Sequence, residues 1–111
     1  MPWLVRDDQV LATAEVARTR AERRRGLLGS DRIEGALVLR PCRQVHTFGM
    51  RVPIDVLWCD GSGRVLRLAT LVPGRISRPV VRAQFVVEAA AGAADRWRVR
   101  VGETLELTGD D

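Results

Sequence analysis

Residues 54–72, IDVLWC-DGSG-RVLRLATLV, decide the reading of this chain. Ile54–Cys59 is its strongest strand. Asp60-Gly61-Ser62-Gly63 is a turn, and 64–72 returns as a second strand, so the stretch reads as a β-hairpin. Pro73-Gly74 closes it, and Pro53 before it marks an edge, a bulge or a strand start. Working outward, every neighbouring segment is short. Trp3–Arg6 and 10–17 read as two strands around the turn Asp7-Asp8-Gln9. Val10, Ala12, Ala14 and Val16 form a wholly apolar set that is expected to face inward. Thr19-Arg20-Ala21-Glu22 is a capping box, in which hydroxyl and carboxylate each accept the other residue's backbone N–H. It predicts a helix from Arg20 to about Leu28, with Arg23, Arg24 and Arg25 near its C-terminal turns, favourable against the dipole. Gly29 is placed to terminate it.

Further along, Ala36–Leu39 is a short strand leading into Pro41, and 75–82 is an irregular connection. Residues 84–90 form another strand, 92–97 a short helix, and 104–107 a last strand with Leu105 and Leu107 inward. Many short strands with frequent turns predict a mainly β single domain, a distorted barrel or sandwich with one or two short helices.

At 111 residues there is room for one modest core. No uncharged apolar run approaches the roughly 18–20 residues that span a bilayer. The N-terminus, MPWLVRDDQVLATAEVA, has no basic head, apolar core and small-residue cleavage site in series, so a cytoplasmic location is expected. All 18 basic residues are Arg, against 14 acidic ones; Lys, Asn and Tyr are absent. Such usage fits GC-rich codons. It is weak evidence for a phosphate-rich partner, because a nucleic-acid footprint needs clustering and not merely a high pI.

Residues 41–60, PCRQVHTFGMRVPIDVLWCD, gather the chain's only histidine, both cysteines and Asp55. Two cysteines in a cytoplasmic chain are expected to be reduced, although a Cys42–Cys59 bridge would be sterically open if the Cα atoms approach within about 7 Å.

The ordered set ERRRGLLG, EGALVL, HTFGMRVPIDVLWCD-GSGRVL, VVEAAAG and VGETLEL resembles the domain-of-unknown-function family 192, small prokaryotic proteins, over about residues 14–107. The resemblance implies a compact, β-rich, distorted barrel or sandwich; it does not imply an activity. Its counterparts here are Gly26, Leu27, Pro53, Asp55, Glu88, Gly92 and Gly102. Many members carry Trp-Met-Lys-Asn-Thr ahead of the proline. Here His46-Thr47-Phe48-Gly49-Met50 stands instead, so no role of that Asn or Lys is carried over.

Asp55 shares a strand face with Leu57 and Cys59. On an apolar surface it needs partners or its pKa rises; Arg43 or Arg51 can supply charge, or Asp55 can tie down loop N–H groups. His46 is the one side chain here of the type whose ordinary pKa lies near neutrality, and it can pair with Asp55 or with Cys42, which lies four residues away. Glu88 is either exposed or at the barrel mouth beside Asp55, where a carboxylate pair can do acid–base work. The arginine run is a solvated helix face or an anion contact.

The first reading is a non-enzymatic module for a small polar molecule or a peptide. Its candidate residues are Asp55, His46, Cys42, Thr47, Arg43, Arg51 and Glu88, with His46 and Asp55 meeting at one rim. The second is a hydrolase or transferase using Asp55 with His46, Cys42 or Glu88. The third is weak RNA or anion binding through residues 20–25 with Arg43 and Arg51. No cofactor, metal or membrane contact is expected and nucleic acid is disfavoured; the oligomeric state is left open.

Overall fold

The computed structural model describes residues 2–109. The elements run β1 (Trp3–Arg6), β2 (Gln9–Ala17), α1 (Arg20–Arg25), β3 (Ala36–Leu39), β4 (Ile54–Cys59), β5 (Val65–Leu71), β6 (Phe85–Ala90), α2 (Ala93–Trp97) and β7 (Glu106–Thr108). The seven strands form one mixed sheet, ordered β5-β4-β6-β3-β2-β1-β7. The protein is mainly β, with two short helices. The sheet is not closed into a barrel: its two edges approach at the isolated bridge between Arg64 and Thr104. There the Leu105 N–H donates to the Gly63 carbonyl at 2.8 Å.

The β4–β5 hairpin forms as the turn signal requires. Asp60 Oδ1 accepts from the backbone N–H of Ser62 and of Arg64, both at 3.0 Å. β4 is buried along its whole length, because each face covers a different apolar cluster. Leu57 and Cys59 join Leu4, Val38, Phe85 and Leu105 on one side. Ile54, Val56 and Trp58 join Leu39, Met50 and Val86 on the other. Only β2 and β3 pair in parallel, and α1 lies in the crossover between them, as a parallel connection demands.

Two expectations are corrected, the end of α1 and the inward face of β2. α1 stops at Arg25 and not near Leu28, and Gly26 rather than Gly29 ends it, at φ 49°. Leu27 and Leu28 instead turn inward onto the Met50–Trp58 cluster. The capping box is as predicted, with the Glu22 N–H donating to Thr19 Oγ1 at 3.1 Å and the Thr19 N–H to Glu22 Oε1 at 3.0 Å. In β2, Val10 is exposed although its alternation points inward. The register passes from Leu4↔Ala12 to Val5↔Val10, so Leu11 is an extra residue. A bulge of this kind reverses which alternate residues face the core: Leu11 packs inward and Val10 turns out. The cysteines are free, as expected; Cys59 is sealed in one cluster while Cys42 packs against the other.

Among the described residues, no helix is long and apolar enough to cross a membrane.

Candidate functional site

Residues 41–47 are held as a fixed wall. The Cys42 N–H donates to the Gln84 carbonyl at 3.2 Å, and the Trp58 indole N–H donates to the Arg43 carbonyl at 3.1 Å. The Val45 N–H donates to Ser77 Oγ at 3.0 Å. Thr47 is fully buried. Its hydroxyl donates to the Val72 carbonyl at 2.7 Å and accepts the Arg75 N–H at 2.8 Å. Opposite this wall lies α1. Between them opens a groove of about 400 Å³. Its α1 side carries Arg20, Arg24 and Arg25, its wall carries Cys42 and His46, and Glu88 of β6 also lines it.

Glu88 is 4 % exposed. Among the described residues nothing hydrogen-bonds or ion-pairs with its carboxylate, and neither oxygen is sealed from solvent. Burial without a partner penalises the charged form and pushes its pKa up to about 7. Gly26 passes close beside it: a Cβ there would stand 3.2 Å from Glu88 Oε1. The Cys42 thiol donates to the Gln44 carbonyl at 3.3 Å. Burial raises its pKa, opposed by the Gln44 backbone and helped by the neighbouring Glu88. The thiol is therefore protected from ionising rather than activated. Among the described residues, Arg20, Arg24 and Arg25 make no ion pair or hydrogen bond. Arg23 reaches the Arg18 carbonyl, and Arg43 Nε donates to the Ala83 carbonyl at 3.3 Å.

Asp55 has a different setting. It is 3 % exposed, and both oxygens are occupied. Oδ1 accepts the Thr70 hydroxyl at 2.7 Å; Oδ2 accepts the N–H groups of Gly92 and Ala94, each at 3.0 Å. Asp55 thus fixes the start of α2. Neither Arg43 nor Arg51 supplies its charge; Arg51 pairs with Asp31 at 2.9 Å. Across the β4–β6 ladder Asp55 faces Ala89, while Glu88 faces Val56. Directly opposed residues project to the same side, so Asp55 and Glu88 lie on opposite faces of the sheet. Glu88 is neither exposed nor beside Asp55. His46 lines the groove on the Glu88 side. Its Nδ1 accepts the Phe48 N–H at 3.2 Å and its ring stacks on Phe48 at 5.4 Å.

The structure thus gathers Cys42, Arg43, His46 and Glu88 at one groove and places Asp55, Thr47 and Arg51 outside it. The sequence reading puts residues 20–25 in a separate hypothesis and does not bring Leu27, Leu28 or Gln44 to the site. The run Arg-Arg-Arg-Gly-Leu-Leu carried the signal: a basic turn that ends on a glycine and swings two leucines inward. Among the described residues no group of three or more His, Cys, Asp or Glu is placed to hold a metal ion.

The sequence profile of DUF192, described as "Uncharacterized ACR", matches residues 3–107. The chain belongs to the DUF192 family. This DUF192 chain is 31% identical over 100 residues to a UPF0127 protein of Thermococcus kodakarensis, covering 85% of this chain and 64% of that one. It is 36% identical over 62 residues to a UPF0127 protein of Pyrococcus abyssi, covering 56% of this chain and 53% of that one. The DUF192 chain therefore spans less than two-thirds of the length of these relatives. Two crystal structures share its fold. A protein of unknown function from Novosphingobium aromaticivorans superposes with TM-score 0.81 at 21% identity, over 95% of this chain and 82% of the other. A putative transcription regulator from Sinorhizobium meliloti superposes with TM-score 0.79 at 22% identity, over 98% and 93%.

Proposed function

We propose that this chain is a binding module and that its site is the groove between α1 and residues 41–46. Its ligand is a small polar molecule or a peptide segment. The observation that carries this reading is Glu88. A carboxylate buried without a partner costs stability, and it sits where a ligand can supply what the fold withholds. The rigid wall supports the same reading, since a pre-formed site loses less entropy on binding. Catalysis is less well supported. Asp55 is fully engaged elsewhere, and the Cys42 thiol is held in its neutral form.

A thermal-shift panel of metabolites, sugars, metals and short peptides tests the proposal. A ligand of the groove raises the melting temperature with its occupancy, and the rise shrinks in the double variant Arg24→Glu/Arg25→Glu. If the whole panel leaves the melting temperature unmoved, the binding-module reading fails.

A further inference from the structure

The groove is lined by one acid and five bases. Glu88 is the sole carboxylate among its lining residues; Arg20, Arg23, Arg24, Arg25 and Arg43 carry the opposite sign. A purely anionic ligand meets the arginines but leaves Glu88 without a donor. A purely cationic one meets Glu88 but must sit among five guanidinium groups. A molecule bearing both signs satisfies both. Leu27, Leu28, Leu39 and Met50 add apolar surface to the lining. A volume of about 400 Å³ lies toward the small end of the roughly 300–1,000 Å³ range of ligand sites. The larger cleft along β2, about 850 Å³, has no buried polar side chain in its lining.

Resting on the groove-binding reading above, we infer that the groove takes an amphoteric small molecule, its ammonium group on Glu88, its carboxylate on the α1 arginines and an apolar body between them. That is the chemistry of a free amino acid or a short peptide. Seating the ammonium requires Glu88 to be ionised, so binding displaces its proton. Affinity therefore weakens on acidification below pH 7, by up to about tenfold per pH unit. The charged and titratable groups facing Glu88 are the five arginines, Cys42 and His46; β3 and β4, which flank it in the sheet, present Leu37 and Val56 opposite and beside it. His46 lines the same groove, so it has its own control.

The test is an amide NMR titration of the full chain with leucine and a set of leucine-containing dipeptides. Each dipeptide is paired with its N-acetylated and its C-amidated form, at pH 5.5 and 7.5. Expected are shifts at residues 20–28, 41–46 and 88 with the free forms, tenfold or greater weakening on N-acetylation or C-amidation, and weaker binding at pH 5.5. Glu88→Gln, which keeps the shape and removes the charge, abolishes the pH effect; His46→Gln keeps it. The inference is overturned if the N-acetylated peptides bind as well as the free ones, if Glu88→Gln binds unchanged, or if acid strengthens binding. It is also overturned if no amphoteric probe shifts these residues while another compound of the thermal panel does. In each of those cases the groove reading survives. Silence from every probe and every panel compound ends both.

Discussion

Glu88 and Asp55 are two buried carboxylates with opposite surroundings, and their substitutions are expected to behave oppositely. Asp55 accepts three hydrogen bonds that fix β4 to β5 and to the start of α2. Asp55→Ala leaves three donors without their acceptor and is expected to cost about 1–3 kcal/mol, read by urea unfolding at pH 7. Glu88 has no such partner, and burial raises its pKa to about 7 from the usual 4.5. A raised acid contributes stability while it is protonated in the fold, below its unfolded pKa. That contribution is lost as pH climbs toward its folded pKa. Glu88→Gln should therefore match the parent chain near pH 4 and exceed it increasingly up to pH 7. Above pH 7 the gap levels off at no more than about 3 kcal/mol. Unfolding curves at pH 4, 6 and 8 check this. A gap independent of pH would show that Glu88 is ordinarily solvated. The sequence made both acids candidates, since each sits in an apolar run. It could not tell them apart, because the difference lies in the Gly92 and Ala94 N–H groups, far along the chain from Asp55.

At the level of elements, local chemistry was readable and its endpoints were not. The Thr19–Glu22 capping box appears as written, and Thr19→Ala is expected to lower stability by about 1 kcal/mol in thermal unfolding. The end of α1 was misplaced because Gly26 and Gly29 both offer positive φ. The choice between them is made outside the helix, where a Cβ at Gly26 would crowd Glu88 of β6 and force it to shift. Gly26→Ala meets both obstacles, a positive φ and a Cβ 3.2 Å from Glu88 Oε1. Its expected cost is about 1 kcal/mol or more, and it should also narrow the groove, which weakens any ligand found there. The inward face of β2 was lost to the bulge at Leu11, since a period-two count cannot register one extra residue. By contrast the β4–β5 hairpin was legible throughout, because its turn, its alternation and its pairing are all neighbours in sequence.

For the whole molecule, strand order escaped the sequence. β6 inserts between β3 and β4, and β7 returns to flank β1; both pairings join residues far apart, which no local pattern encodes. The same holds for the two ends of the sheet. They touch where Gly63 lies against Leu105, and a Cβ on Gly63 would fall 2.0 Å from the Leu105 carbonyl oxygen. Gly63→Ala must push the edges apart, with a loss on the order of 3 kcal/mol in denaturant unfolding. A variant as stable as the parent would mean that this contact does not hold the sheet in its curve. The groove, too, is a product of the whole: helix, wall and floor come from three separated stretches of chain.

The alternation of Asp55 and Glu88 across the β4–β6 ladder has a last consequence. Were β6 to slide by a single position, every side chain on it would exchange sides. Glu88 would then be driven in among Leu57, Cys59 and Val38, far from any water, while Val87 or Ala89 would stare into a space rimmed by guanidinium groups. Misalignment thus carries its own heavy penalty, and the one acid that the native arrangement tolerates so poorly also polices the alignment of the two central strands.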